Sequence, residues 1–597
     1  MGYIGKSVTS VCSAIFVGLM YYLALPTLSL AYYGGFFFIA LAVLIIVANI
    51  CLWASNFDKE KILWQPVVVV AAVIFAFSIG GPFVGSSLFN AEKKYNQLGE
   101  VVELGYKDMI KEIDDSQIPI VDYDLARKQA DKRIGEDLAL GSRAELGGSV
   151  IQEVNGEIMY VTYLKHKDIF KWMTFDSTPG YITVSATNPN KVKYVTSVGD
   201  DEIEIVYSPD AYFSKDLKRH IRNQGYRDQA MTDYTLELDD TGMPYWVVTT
   251  YRNITVWGEP EATGVIVVDA QSGKTEFYSM DEIPEWVDIV QPESFIENQI
   301  TNWGELVHGI LNLSNKDKIK KTDDMLTVYS EGNCYYFTGM TSVGSDESCV
   351  GFIMVNTRDK SAKMCKMSGA TEDAAKKSAE GKVSDFGYTA NEPLPLNVNG
   401  IPTYVMALKD AEGLIKSYAM VNIELYGIVA NGDTLQKTSK AYIQAVANSG
   451  KNDVISSDET YGYTLEGKVA RISSVVEEGS TYYYIIIENE DDKIFTASYL
   501  TSDELAVTRD GDNVVINYID DKNGTVDIIS FDNTAYGITI SEEQENRNEL
   551  DKGTSPLDSK FNQIVEVDPE MNQETWDSLT EEEKAKLIQE VLGDKES

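Results

Sequence analysis

The chain is poor in the residues from which most catalytic and metal sites are built. It has three histidines in 597 residues, and none of His166, His220 and His308 has a cysteine or second histidine at zinc-ligand spacing. The charged sequence around His220 places that residue on a helix surface. No Gly-x-Ser-x-Gly elbow, phosphate-binding glycine loop or dinucleotide fingerprint occurs. We therefore expect a protein that is not an enzyme, with no catalytic residues, no metal and no cofactor.

Basic residues are also scarce. Lys and Arg number 51 against 92 Asp and Glu, which gives a net charge of −41. Such a surface repels nucleic acid and anionic lipid headgroups, so no nucleic-acid partner is expected. The five cysteines do not identify the compartment. Cys334, Cys349 and Cys365 fall in one segment, and we expect three buried reduced thiols; one disulfide with one free thiol is the alternative.

Three apolar runs near the N-terminus are each about long enough to cross a bilayer, at residues 8–32, 34–54 and 62–89. Lys6 precedes the first run and no charge directly follows that run, which favours a cytoplasmic N-terminus. Lys93 and Lys94, after the third run, argue the other way. We expect residues 1–89 to form a three-helix transmembrane anchor. The lipid bilayer is then one partner, and the chain is a multi-pass protein of the cell membrane with its large C-terminal region extracytoplasmic.

One pattern recurs four times after the anchor: a glycine turn, a short aromatic strand, and a second strand roughly twenty residues later. The aromatic strands lie at residues 155–161, 242–247, 332–337 and 400–405. A helical pattern precedes each copy, so the repeated unit is one helix packed on an antiparallel sheet. We predict an α+β fold in which residues 90–120 form a helical stalk. Four modules follow, at residues 121–208, 209–292, 293–370 and 371–450.

Two segments resemble the PepSY domain, an extracytoplasmic, cystatin-like module of one helix and an antiparallel sheet. Residues 267–274, Val-Val-Asp-Ala-Gln-Ser-Gly-Lys, resemble that family's strand-Asp-x-x-x-Gly-Lys turn. Residues 371–377, Thr-Glu-Asp-Ala-Ala-Lys-Lys, resemble its opening helix. The resemblance covers roughly residues 121–450 and marks modules two and four as PepSY-like. It implies a module that binds or regulates peptidases at the cell envelope, without catalytic residues of its own.

A different strand pattern occupies residues 459–535. Five short strands and the opening Gly467-Lys468-Val469 are similar to a small OB-type barrel. The tyrosines at 482–484 are of the kind that stack on bases, but acids outnumber bases in this segment. A structural barrel is therefore favoured over a nucleic-acid site. The composition of residues 541–597 predicts an acidic disordered tail, with an amphipathic helix at 580–592.

The remaining candidate binding residues are apolar. On the repeat strands, alternation should bury one aromatic of each pair and leave the other open for a protein partner, or covered by a neighbouring module. These candidates are Tyr245, Trp246, Tyr335, Tyr336 and Tyr404. The apolar stripe of the tail helix is a candidate docking motif, or it folds back on its own domain. It consists of Leu587, Ile588, Val591 and Leu592.

Together these features predict a membrane-anchored, non-enzymatic extracytoplasmic binding or scaffold protein that acts through protein–protein contacts. Two alternatives stay open. The first is a PepSY-like regulator or inhibitor of an envelope peptidase. The second is a subunit of a secretion, conjugation or phage-related membrane assembly, because the whole chain is similar to uncharacterised membrane proteins of low-GC Gram-positive bacteria and their phages.

Overall fold

The structure is a computed structural model that describes residues 2–55, 64–111, 117–322, 325–344, 348–449, 463–477, 480–490, 493–499, 501–519 and 525–534. The chain divides into two compact units, Met1–Tyr461 and Gly462–Ser597. Helices and antiparallel sheets are both abundant, and the first three helices are apolar. The predicted mixed α+β fold with three apolar N-terminal helices and several sheets is therefore confirmed.

The first three helices are long and apolar enough to cross a membrane. They are α1 (Gly2–Ala24), α2 (Tyr33–Ala54) and α3 (Gln65–Gly85). Most of their large side chains are exposed, as lipid-facing side chains are. Polar side chains join α1 to α2: Asn49 Nδ2 donates to Ser13 Oγ at 2.8 Å, and Trp53 Nε1 donates to a threonine hydroxyl at 3.1 Å. Hydrogen bonds of this kind between helices help to fix their pairing in lipid.

The described part of residues 90–120 is not the predicted helical stalk. After α4 (Ser87–Tyr95) and one 3-10 turn, Gly99 takes a φ of +90° and ends the helical path. The chain continues as β1 (Val101–Glu103) and α5 (Tyr106–Met109). β1 pairs in parallel with residues 362–364. The prediction was wrong because the sheet, which forms far along the chain, captures this segment as an extended edge.

Sheet 1 has the strand order β2-β3-β5-β6 and lies after two helices. In chain order its region contains α6 (Tyr123–Gly135), α7 (Leu138–Arg143), β2 (Ala144–Val154), β3 (Glu157–His166), α8 (Ile169–Thr174), β4 (Thr178–Pro179), β5 (Tyr181–Ser185), β6 (Val192–Val195), β7 (Ser197–Val198), β8 (Asp201–Glu202) and β9 (Glu204–Ile205). Asp122 caps the N-terminus of α6, because its side chain accepts from the Leu125 amide at 3.0 Å.

Sheets 2 and 3 each follow one helix. Sheet 2 has the order β10-β11-β12-β13. It follows α9 (Leu217–Asn223), and its strands are β10 (Ala230–Leu238), β11 (Pro244–Thr255), β12 (Gly258–Asp269) and β13 (Thr275–Ser279). Sheet 3 has the order β1-β18-β17-β16-β14, with β15 also on β16 and β19 also on β17. Its elements are α10 (Glu293–Glu305), β14 (Ile319–Lys321), β15 (Leu326–Ser330), β16 (Asn333–Ser342), β17 (Ser348–Asn356), β18 (Ala362–Cys365) and β19 (Gly369–Ala370).

Sheet 4 has the order β20-β22-β23-β24, with β21 also on β22. Its elements are α11 (Glu372–Lys382), β20 (Thr389–Ala390), β21 (Leu394–Val398), β22 (Ile401–Lys409), β23 (Ile415–Asn422), β24 (Val429–Gly432) and α12 (Leu435–Asn448). Thr371 caps α11, as its hydroxyl accepts from the Ala374 amide.

The four sheets share one hydrogen-bonding arrangement after β5, β12, β17 and β23. The last residue of each strand accepts backbone N–H groups of the next turn with its side-chain oxygen. These residues are Ser185, Asp269, Asn356 and Asn422. The carbonyl of the following residue accepts from the segment that leads into the helix of the same sheet. The pairs are Val121 N to Ala186 O, Tyr207 N to Ala270 O, Gln291 N to Thr357 O and Ala370 N to Ile423 O, at 2.7–3.0 Å.

Three apolar cores join neighbouring sheets, and two smaller ones contain strand residues of sheet 3 or sheet 2 alone. One core combines Leu164 of sheet 1 with Val405 of sheet 4. Another combines Phe337 of sheet 3 with Tyr404 of sheet 4. A third joins sheets 1 and 2, whose Tyr163 and Trp246 rings lie 4.8 Å apart. Residues up to 461 are therefore one compact unit, although the sequence pattern is repetitive.

The second unit contains a closed five-stranded barrel with the order β25-β26-β27-β29-β28. Its strands are β25 (Tyr463–Glu477), β26 (Ser480–Ile487), β27 (Ile494–Ser498), β28 (Asn513–Ile519) and β29 (Thr525–Asn533). Closure removes the exposed sheet edges. The interior is filled by aliphatic and aromatic side chains, among them Val469, Ile485, Phe495 and Ile516.

Candidate functional site

A cleft opens where sheets 1, 3 and 4 meet. Its volume is about 710 Å³, within the range of about 300–1,000 Å³ that is usual for ligand sites. We call it the inter-sheet cleft. Its apolar wall consists of Ile110, Ile158, Val328, Tyr329, Met354 and Leu396. Its polar rim includes Lys111, Glu153, Glu157, Ser185, Asn188, Lys191 and Glu331.

The rim carries charges of both signs. Lys191, directly before β6, pairs with Glu157 at the start of β3, with Nζ 2.6 Å from Oε1. Glu331 sits in the turn between β15 and β16 with a φ of +52°. An apolar wall with an ion-paired rim suits a ligand that is itself amphipathic, because the wall offers apolar area and the rim fixes polar groups.

A pair of acids lies behind the cleft wall, between sheets 1, 2 and 3. Glu237 on β10 is fully buried, and its two carboxylate oxygens accept from the Asp288 amide and the Thr235 hydroxyl, both at 3.0 Å. Asp288 Oδ2 accepts from the Glu153 amide at 2.8 Å. Burial raises the pKa of Glu237 to about 8, and the charge of Asp288 adds to the effect. Burial likewise raises the pKa of Asp288 to about 6.

Two residues that line the cleft also contact the acid pair. Tyr329 lines the cleft, and its hydroxyl lies 3.0 Å from Ile151 O and 3.4 Å from Asp288 Oδ2. Glu153 also lines the cleft and donates its amide to Asp288. A ligand that moves the tyrosine therefore changes the surroundings of the acids directly.

Sheet 3 holds the acid pair from its other side. The Thr357 hydroxyl donates to Asp288 O at 2.6 Å. The guanidinium of Arg358 donates to the carbonyls of Pro284 and Glu285 at 2.9 and 2.8 Å. These bonds fix the segment between sheets 2 and 3 that carries Asp288, so the acid is held by residues of three sheets: Glu153, Glu237 and Thr357.

The nearby thiol is not activated. Cys334 is buried, and burial raises the pKa of its thiol to about 12, with the charge of Asp288 adding to the effect. A nucleophilic cysteine needs a lowered pKa and access. All five cysteines are free thiols, and Cys334, Cys349 and Cys365 are buried, as we expected for these three. Among the residues that the structure describes, no group of three His, Cys, Asp or Glu could hold a metal ion.

The aromatic candidates do not form an open binding face. Four of them are buried: Trp246, Tyr335, Tyr336 and Tyr404. Tyr245 is partly exposed and packs against Trp286, with 5.3 Å between ring centroids. Trp246, Tyr335 and Tyr404 lie in cores shared with a neighbouring sheet, which is the alternative of a neighbouring module. Tyr336 lies in a core with α10, the helix of its own sheet. The tail helix candidates Leu587, Ile588, Val591 and Leu592 lie outside the described residues.

The histidines occupy three unrelated places. His220 is buried, contrary to the expectation of a helix surface: its Nε2 lies 2.7 Å from Gly273 O and its ring 4.2 Å from that of Tyr207. The turn at Asp269–Lys274 folds back over α9 and covers it. His308 pairs with Asp317 at 2.8 Å on the surface. Burial lowers the pKa of His166.

The acid pair carried no signal in the sequence. Glu237 and Asp288 are 51 positions apart, and each stands in an ordinary acidic context. The three sheets that desolvate them meet only in the folded chain.

Comparisons with known proteins leave the family open. No protein-family model matches this chain, and no curated protein matches it. The PepSY-like modules and the OB-like barrel therefore stay predictions.

Proposed function

We propose that this chain is a multi-pass protein of the cell membrane whose four α+β modules, copies of one unit, form an extracytoplasmic, non-enzymatic binding scaffold. The inter-sheet cleft is its binding site, and a segment of a partner protein is its ligand. The observation that carries the proposal is that cleft, with its apolar wall, its ion-paired rim and a direct connection to the buried acid pair.

The arrangement of the helices supports the membrane part of the proposal. Residues 25–32, between α1 and α2, lie against sheet 2 and α9. The hydrogen bonds are Leu28 N to Arg227 O at 2.8 Å, Tyr32 OH to Tyr251 O at 2.8 Å and Trp257 Nε1 to Leu30 O at 3.0 Å. α3 ends beside the same β11–β12 hairpin, since a Cβ at Gly85 would lie 2.3 Å from Val256 O. The first helix connection and the end of α3 are on one side, as three crossings require.

The chemistry of the cleft supports a peptide ligand. Met354 and Leu396 close the base of the cleft and are almost fully buried, while Ile158 is a partly exposed apolar residue of the wall. Lys191, Glu157 and Glu331 at the rim are placed to pair with charges of either sign on a partner. A cleft of this volume holds a few side chains, which matches a short linear segment better than a globular surface.

Site-specific crosslinking in intact cells tests the proposal. A photoreactive amino acid at exposed Asn188, on the cleft rim, should capture a discrete partner band, and the same group at exposed Phe386, outside the cleft lining, should not. Equal capture at both positions would remove the cleft from the proposal. Turnover of an envelope substrate that is lost on changing one polar residue would overturn the non-enzymatic part.

Regulation of an envelope peptidase is the second candidate, and the turn at 267–274 favours it. Asp269 Oδ1 accepts from the Gln271 and Ser272 amides, both at 2.9 Å, and Gly273 takes a φ of +74°. This geometry explains why such a turn needs Asp first and Gly fifth. If the module inhibits a co-purifying protease, Asp269→Ala should raise the activity of that protease, and Asp240→Ala in the turn between β10 and β11 should not.

A further inference from the structure

Exposed apolar and basic side chains form a patch next to the C-terminal end of α1. Phe170 and Met173, one helical turn apart on α8, are 75% and 69% exposed. Phe213, in the 3-10 turn before α9, is 52% exposed. Lys218 is partly exposed and Arg227 is exposed. We call these five residues the α8–α9 patch.

Direct contacts join this patch to the end of the first apolar helix. Arg219 Nη2 donates to Tyr22 O at 3.0 Å, and its guanidinium lies 4.1 Å from the centre of the Tyr22 ring. Arg219 Nη1 also donates to Phe213 O at 2.6 Å. The Phe213 ring is 5.6 Å from the Trp172 ring on α8. Tyr22 is two residues from the end of α1, so the patch lies at the level where α1 leaves the membrane.

A second contact fixes the orientation of α9. Arg222 is 2% exposed, and its Nη2 donates to Thr27 Oγ1 at 3.0 Å in the connection between α1 and α2. Its Nη1 holds the carbonyls of Tyr226 and Gln229, both at 2.6 Å. The patch cannot swing away from α1 without breaking these bonds.

The charge of this region is opposite to that of the chain. Residues 217–227 contain four basic and no acidic residues, in a chain whose net charge is −41. Two of the flanking acids are N-caps: Asp168 accepts from the Phe170 and Lys171 amides, and Asp216 accepts from the Arg219 amide. A third, Asp228, is exposed and follows Arg227 directly. Exposed Phe and Met among Lys and Arg are the composition of a surface that lies in a membrane interface.

We infer that the α8–α9 patch lies in the interface of the bilayer that α1 crosses, with its apolar side chains among the acyl chains and its basic side chains on anionic lipid headgroups. The inference rests on the proposed membrane insertion of α1–α3. It goes beyond anchoring, because it fixes the modules flat against the membrane and thereby sets the direction in which the inter-sheet cleft faces. It also runs against the overall charge, which by itself repels such headgroups.

Quenching of tryptophan fluorescence by brominated lipid tests the inference on the full-length protein in nanodiscs. The emission of Trp172 is obtained as the difference between the wild type and Trp172→Phe, and that of Trp53 on α2 with Trp53→Phe. We expect lipid brominated near the headgroup to quench both tryptophans. Phosphatidylglycerol added to phosphatidylcholine should increase the quenching of Trp172 and leave that of Trp53 unchanged.

Variants separate the two kinds of contact. Phe170→Ser with Met173→Ser should reduce the quenching of Trp172 several-fold, and Lys218→Glu with Arg227→Glu should abolish its dependence on phosphatidylglycerol. Phe386→Ser, equally exposed and outside the patch, is the control and should change neither. Circular dichroism checks that each variant keeps its sheets.

The outcomes are distinguishable. If Trp53 is quenched and Trp172 is not, the helices insert but the patch does not touch lipid; the inference is overturned and the membrane proposal stands. If neither tryptophan is quenched, the membrane proposal itself fails. Quenching of Trp172 that is the same with and without phosphatidylglycerol would overturn the role of the basic residues.

Discussion

Replacing Glu237 with glutamine should remove a large part of the pH dependence of stability. Glu237 is fully buried, and its pKa rises from 4.5 to about 8 on folding. Between these values the folded chain keeps a proton that the unfolded chain releases. The free energy of unfolding therefore falls as the pH rises from about 4.5 to about 8.

The size of the effect follows from the shift. Each pKa unit corresponds to about 1.36 kcal/mol, so a rise from 4.5 to about 8 gives an upper limit of about 5 kcal/mol. Asp288, whose pKa rises to about 6, contributes in the same direction at lower pH, and the two acids titrate as a pair. Glutamine copies the protonated acid: its oxygen accepts from the Asp288 amide and its NH₂ faces the Thr235 hydroxyl.

The assay is the thermal midpoint of the full-length protein in detergent across this pH range, followed by near-ultraviolet circular dichroism. The wild type should lose stability steadily toward pH 8, and Glu237→Gln should lose much less. Glu202→Gln, on an exposed strand, is the control and should follow the wild type. The reasoning would be refuted if the thermal midpoint of the wild type did not change with pH. It would also be refuted if the midpoint of Glu237→Gln changed with pH as much as that of the wild type.

Two further changes test a contact between sheets 1 and 2 and the turn after β12. Gln152→Leu should destabilise the protein by about 3 kcal/mol, because buried Gln152 bonds both Leu238 N and Leu238 O, at 2.9 and 3.2 Å; an unchanged denaturation midpoint would contradict this. Gly273→Ala should cost about 1–3 kcal/mol, since φ is +74° and the new Cβ would lie 2.6 Å from the Tyr207 ring. Gly381→Ala, in open space on α11, is its control in the same thermal melt.

The parts of the fold that depend on residues adjacent in the chain could be predicted from local sequence patterns. Apolar runs identified α1–α3, because the length of a membrane-spanning helix is set by a continuous stretch of sequence. The turn after β12 could also be predicted from the sequence. Asp269 accepts from the amides of Gln271 and Ser272, and Gly273 takes a positive φ, so the whole arrangement lies within five consecutive residues. This kind of prediction failed at residues 90–120, where a partner strand in sheet 3 overrode a helical pattern, and at His220, which the turn after β12 covers.

The sequence by itself determined the apolar helices, the alternation of strands and the chemistry of single turns, since these depend on a few adjacent residues. Tertiary structure alone decided the site. Glu237 and Asp288 become unusual acids only when three sheets exclude water from them, and four of the five aromatic residues predicted as a binding face are buried. Desolvation is a property of what surrounds a side chain, and these surroundings come from segments far apart in the chain.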